Sequence, residues 1–324
     1  MTSSLTQTPL SGESLLDDVR RGLTRRQKEI PPKYFYDQHG SELFEAITRL
    51  PEYYLTRAER RLLAAWMLPV MSSLRPTTLI ELGAGSGDKT RLILRAMRAA
   101  GDVRRYIPVD LSAEFLEASA ERLRGDLPWL TVEPRVADFT HGIEAPPADG
   151  PALIAFLGST IGNLGRADAV LLLRGVREAM RCADRFLLGV DLRTKPIAKI
   201  ERAYNDRSGI TARFNRNILE RLNRELGATF AVDGFAHRAV WSESHLRIEM
   251  HLVATREQRV LVPGLGWTGF RPGETILTET CAKYDRADVA QMLEAASMTI
   301  ERWLVDLEDQ YALVVAAPVT GMPR

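Results

Sequence analysis

Apolar residues recur along this chain with two different periods, and the change between them organises it. Helical spacing marks 15–23, 43–50 and, at greater length, 57–71. Two prolines make the dense aromatic segment 31–36 a loop. The short apolar, β-branched run 78–82 ends at glycines and reads as a buried strand. From there the patterns alternate: helix 88–100, strand 105–110, helix 112–124, strands 130–137 and 152–157, helix 166–181, strand 185–191. Such alternation predicts an α/β architecture, a parallel sheet with helices on both faces.

After Asp191 the alternation stops. Residues 194–226 read as two helices, and 230–239, 244–254 and 258–262 as strands of a sheet with one wet face. Helical spacing returns at 285–296. Strand patterns follow at 299–305 and 311–316, separated only by 306–310, which predicts an antiparallel pair closing the sheet. The expected partition is 58–193 with 286–324 as a cofactor-binding domain, 12–57 with 194–285 as a smaller α+β substrate-binding domain, and 1–11 as a flexible N-terminus.

At 324 residues the chain exceeds what one compact core usually needs, and two units imply a cleft. Lys plus Arg number 43 against 42 Asp plus Glu, so no global field favours nucleic acid or an anionic membrane surface. A small-molecule partner and a monomer are expected. Cys182 and Cys281 are far apart and belong to no Cys/His cluster of ligand spacing, so neither a disulfide framework nor a metal is expected. The longest apolar runs fall short of the roughly 20 residues of a spanning helix. The Ser/Thr-rich start lacks a secretory pattern, and a cytoplasmic location is expected.

Candidate chemistry begins in Glu81-Leu82-Gly83-Ala84-Gly85-Ser86-Gly87-Asp88-Lys89-Thr90, which joins the first strand of the sheet to its helix. Gly83 and Gly85 permit a tight turn and close approach of a ligand, and the helix start offers unpaired N–H groups. A plain connector would look similar. However, Asp110 ends the next strand 27 positions after Gly83, where a carboxylate can accept from both hydroxyls of a ribose. The spacing ExGxGxG differs from the GxGxxG of dinucleotide sites, and the Glu81 carboxylate would repel a pyrophosphate but not a sulfonium. S-adenosylmethionine is the cofactor that fits. At the third strand end, Asp138 can take the adenine amino group and Phe139 can cover the ring, although Asp138 also suits a cap.

The segments FLGSTIGNL (156–164) and LPEYY (50–54) are distinctive. Together with PPKYFYD (31–37), RAYND (202–206), TARFNRN (211–217), RIEM (247–250) and LTE (277–279), they make nearly the whole chain resemble the histidine Nα-methyltransferases of ergothioneine biosynthesis. The resemblance implies the class I methyltransferase fold, Rossmann-like, with a mostly parallel seven-stranded sheet. It also implies roles. Tyr53 and Asn163 would hold the substrate amino group and Tyr204 the carboxylate. Tyr36, Lys89 and Gly158 would lie by the cofactor, with Phe44 lining the cleft. Glu279 and Met250 match residues that recognise the side chain, whereas Cys281 stands where the family has Ser. Any one tyrosine alone is more often a packed ring, and Met250 also suits ordinary core filling.

The activity implied is methylation of the α-amino nitrogen of L-histidine, repeated to the trimethylated betaine (hercynine). A thiol is a weaker hydrogen-bonding group than a hydroxyl, so Cys281 leaves arginine or an indole amino acid as the alternative substrate. A non-catalytic scaffold that binds the cofactor is the alternative of another class. It has no need of Tyr53, Asn163, Asp110 and Asp138 together.

Overall fold

The computed structural model describes residues 14–85, 87–101, 103–139, 142–147, 149–308 and 310–319. The expected flexible segment 1–11 lies outside them, as do the edges of two expected domains, 12–13 and 320–324. Ser14 starts α1 (Leu15–Leu23) by accepting from the Asp17 N–H, and β1 (Lys28–Glu29) follows. The expected loop at 31–36 contains one 3-10 turn, Pro32–Phe35, because proline's fixed φ suits a helix start. Asp37 then caps α2 (Gln38–Thr48), accepting from the Gly40 N–H at 2.7 Å. The long α3 (Tyr54–Leu74) has Tyr53 at its N-cap.

The alternating region supplies β2 (Thr78–Leu82), α4 (Thr90–Ala100), β3 (Arg105–Asp110), α5 (Ala113–Asp126), β4 (Thr131–Val132), β5 (Arg135–Val136), β6 (Ala152–Phe156), α6 (Arg166–Ala179) and β7 (Arg185–Asp191). The strand expected over 130–137 is broken in two at Glu133-Pro134, since proline has no N–H for the ladder. The second unit contributes α7 (Ile197–Tyr204), α8 (Ile210–Leu226), β8 (Phe235–Ser242), β9 (Arg247–Ala254), β10 (Gln258–Val262), β11 (Gly266–Phe270) and β12 (Thr275–Ala282). The strands expected at 230–239 and 244–254 begin later, at 235 and 247, and β11 and β12 appear where no strand was expected. α9 (Arg286–Ala295), held by a capping box of Asp285 and Asp288, leads to β13 (Met298–Asp306) and β14 (Tyr311–Pro318).

The main sheet has the order β13-β14-β7-β6-β2-β3-β4, with β5 also on β3. Eight strands therefore fill seven positions, because β4 and β5 follow one another along β3. Strands from β4 to β7 run parallel, while β14 pairs antiparallel with both β7 and β13, as the expected closing hairpin requires. β2 and β6 are buried throughout. Leu79 packs with α3 and α4 on one face, and Ile80 and Leu82 with α6 and α9 on the other. This is the α/β class I arrangement. A separate four-stranded sheet, β1-β12-β9-β8, and the β10-β11 pair complete the fold. Among the described residues no helix is long and apolar enough to cross a membrane.

Candidate active site

The carboxyl ends of β2, β3 and β5 meet beside the glycine loop. Gly83 and Gly85 have φ of +66° and +53°, which favours glycine at both, and a side chain on Gly85 would meet nothing within 4 Å. The Asp110 carboxylate accepts from the Gly85 N–H at 3.4 Å and the Ser112 N–H at 3.2 Å. The Phe139 ring lies 3.8 Å from where a Gly83 Cβ would stand, and it meets Phe156 edge-on at 5.5 Å. Asp138 precedes it, just past β5. Glu81 turns away from this space: it is buried under the loop and accepts from the hydroxyls of Thr90 at 2.6 Å and Tyr106 at 2.7 Å. Its carboxylate thus braces the loop, and the repulsion of a pyrophosphate expected from the sequence is not its main effect.

Lys89 joins this region to the next. Its ammonium pairs with the fully buried Glu59 of α3, and Glu59 also accepts from the Gly158 N–H at 2.8 Å and the Tyr311 hydroxyl at 2.7 Å. The chain leaves β6 through two left-handed residues, Gly158 and Ser159, into the 3-10 turn Thr160–Asn163. That turn lies directly on β12, for a Cβ on Gly162 would fall 2.7 Å from the Ala282 carbonyl oxygen. Asn163 is thereby carried to Glu279, whose Oε1 accepts from its Nδ2 at 2.9 Å.

A pocket of about 460 Å³, mouth included, opens between the two sheets. It is walled by Tyr36, Phe44, Tyr53, Gly158 and Asn163 together with Tyr204, Met250, Glu279 and Cys281. Phe44 and Tyr204 meet the Tyr53 ring edge-on at 6.3 and 6.2 Å, and Tyr36 meets Phe44 at 5.6 Å. Met250 of β9 stands opposite Glu279, and a bulge between Leu277 and Glu279 resets β12 so that Glu279 and Cys281 both reach the pocket. Gly83, Gly85, Asp110, Asp138 and Phe139 are not in this wall but at the neighbouring strand ends.

Burial sets the protonation states. It holds the hydroxyls of Tyr36, Tyr53 and Tyr204 well above the usual phenol range, so all three remain neutral. Burial also pushes the Glu279 carboxyl up to about 7, against the pull of Lys283 and the Asn163 bond. The sequence reading passed over Glu59, Asp191 and Lys283, all fully buried ion-pair partners, and Phe214, which stacks on Phe35 at 4.5 Å and lines the pocket. Phe214 lies inside the TARFNRN segment, the one signal that could have found it.

The chain is similar to proteins named for this chemistry. It is 44% identical over 305 residues to the histidine N-alpha-methyltransferase of Mycobacterium tuberculosis, covering 94% of this chain and 95% of that one. The protein of the same name from Mycolicibacterium smegmatis is 40% identical over 307 residues, with the same coverage. Ergothioneine biosynthesis protein 1 of Neurospora crassa is 30% identical over 85% of this chain and 32% of its own length. Residues 15–318 match the family described as histidine-specific methyltransferase, SAM-dependent, and the chain belongs to that family.

Proposed function

We propose that the protein transfers methyl groups from S-adenosylmethionine to the α-amino nitrogen of L-histidine, successively to the trimethylated betaine, as the first step of ergothioneine biosynthesis. The observation that carries this reading is the Asn163–Glu279 hydrogen bond inside one pocket with Tyr53 and Tyr204. It joins a group suited to an α-amino end to a carboxyl suited to an imidazole N–H. The names of the relatives support it.

The left-handed glycine turn, the open space over Gly85 and the Asp110 acceptor fit S-adenosylmethionine. Gly83, Gly85 and Asp110 would hold it, with Asp138 and Phe139 at the adenine and Tyr36, Lys89 and Gly158 toward the pocket. When bound, it supplies a methyl group on a sulfonium that an amine lone pair can attack directly. Asn163 Oδ1 and the Tyr53 oxygen accept the amine N–H groups and leave the lone pair free. Tyr53 keeps its own proton, so it orients the amine and the ammonium's proton leaves to water. Tyr204 donates to the carboxylate, and Glu279 accepts from the ring N–H beside Met250 and Phe44.

The separate sheets support the expected two-domain division. Arginine or an indole amino acid is the second reading, favoured by Cys281, whose sulfur is engaged by Lys283 at 3.3 Å. Incubation with each of the 20 amino acids and S-adenosylmethionine, read by product mass, tests both. Histidine should be trimethylated; a preference for arginine or tryptophan would overturn the assignment.

A further inference from the structure

Behind the substrate pocket lies a buried ion cluster that no motif announces. Asp191 at the end of β7 and Lys283 just past β12 have no exposed side-chain surface and pair at 2.9 Å. Lys195 pairs with the other carboxylate oxygen, and Tyr54 donates to Asp191 at 2.7 Å. One carboxylate thus faces two lysines: burial lowers Lys195 in spite of Asp191, and while both ammoniums are charged the cluster holds a net positive charge that is costly in a buried place unless an anion completes it. Burial disfavours the charge on Lys283, but Asp191 outweighs it and the ammonium stays protonated. The other nearby acid, Glu279, is bonded to Asn163 and pushed up to about 7, so near neutral pH it carries only part of a charge.

An ammonium has three donors and no acceptor. Besides Asp191, Lys283 donates to the Tyr204 hydroxyl at 2.9 Å and to Cys281 Sγ at 3.3 Å. Tyr204 must therefore accept from Lys283, which leaves its own proton for another partner. Within the protein the Cys281 thiol is in reach. A carboxylate in the pocket would be a far stronger acceptor than that sulfur.

The geometry points to Lys283 as the positioning residue for the substrate carboxylate: from behind the pocket wall it turns the Tyr204 proton inward and supplies the uncompensated positive charge. This rests on the amino-acid reading above and adds a requirement to it, a free α-carboxylate, so that the corresponding amine is rejected. The measurement is turnover, or competitive inhibition where turnover is absent, with histidine and with histamine, its decarboxylated counterpart. Lys283→Met and Tyr204→Phe are compared with the parent, and cofactor affinity is followed by calorimetry. Asp191 keeps Lys195 and Tyr54 in Lys283→Met, so the cluster retains a balanced pair.

In Lys283→Met the KM for histidine should rise about ten- to a hundredfold, the loss expected for a charge-assisted contact. kcat and cofactor affinity should change little, and the preference for histidine over histamine should fall by the same factor. Tyr204→Phe should behave alike, and the double variant should lose no more than either single one. If Tyr204→Phe raises the KM while Lys283→Met leaves it unchanged or harms both substrates equally, Lys283 is merely structural and the amino-acid reading survives. If Tyr204→Phe has no effect on histidine either, the carboxylate does not sit there and that part of the reading falls too. Lys283→Gln, which keeps a donor without charge, serves if the methionine variant does not fold: an undiminished preference for histidine in it would overturn the role of the charge.

Discussion

Asp110 is held ready for a polar ligand: burial raises its carboxyl, and the amides of Ser112, Gly85 and Leu111 pull it back. Asp110→Ala should weaken S-adenosylmethionine binding by about 1.5–3 kcal/mol, the size of a charge-assisted contact, in a folded protein. Calorimetry checks it, and unchanged affinity removes Asp110 from the site. Glu279→Ala should cost histidine about 1–3 kcal/mol in kcat/KM and apolar amino acids little, because a buried ring N–H loses its acceptor. Since Asn163 donates to Glu279, Asn163→Ala should disturb both ends of the substrate, and the pair should be non-additive in a double-mutant cycle. Independent losses would break the proposed link. Tyr53, Asn163 and Glu279 were legible because each sits in a short distinctive segment. Lys283 was not: a lone lysine in a segment with no periodic pattern reads as surface, and only its pairing with Asp191, far away in the chain, shows otherwise.

At the scale of elements, β12 carries Glu279 and Cys281 yet escaped the periodic reading. Its buried positions include Thr278, Glu279 and Cys281, and the bulge after Leu277 shifts the alternation, so a strict period of two is absent. The parallel strands β2 and β6 were plain for the opposite reason, being buried on both faces, with β6 apolar throughout and β2 apolar except at Thr78 and Glu81. The contact of the 3-10 turn with β12 fixes how far Asn163 stands from Glu279. Gly162→Ala places a methyl group 2.7 Å from the Ala282 oxygen, so turn and strand must separate. We expect a loss of about 1–3 kcal/mol in stability, the usual range for overpacking. Histidine turnover should fall more than cofactor affinity. Denaturant unfolding and calorimetry together test this, and a variant with parental stability would show that the strand yields freely.

For the whole molecule, buried carboxyls tie stability to pH. Burial pushes Glu81 up to about 7 from 4.5, despite the hydroxyls of Thr90 and Tyr106. The folded state therefore binds the proton more tightly than the unfolded one. That contribution is fully present below 4.5 and is lost as pH rises through about 7, amounting to on the order of 3 kcal/mol. Glu81→Gln keeps an acceptor for both hydroxyls and does not titrate. Between about pH 5 and about pH 8 its stability relative to the parent should improve, as read from denaturant midpoints. A constant difference would mean that Glu81 does not titrate in that window. The general plan was readable from periodicity, but the two sheets share a pocket only through contacts such as Asn163 with Glu279, which no local pattern encodes.

The placing of β14 between β7 and β13 has a consequence for biosynthesis. β7 is complete long before its neighbour: residues 192–310 must emerge from the ribosome before Tyr311 can pair with Asp191. At roughly 5–20 residues per second, the apolar edge of β7 stays open for on the order of ten seconds, with its N–H and C=O groups unpaired. A nascent chain paused within the second unit is thus a half-closed sheet with an adhesive border. Cell-free synthesis should yield more soluble protein when a holdase chaperone is added during translation than when it is added afterwards, and the two yields should match if the border is shielded by some other part of the growing chain.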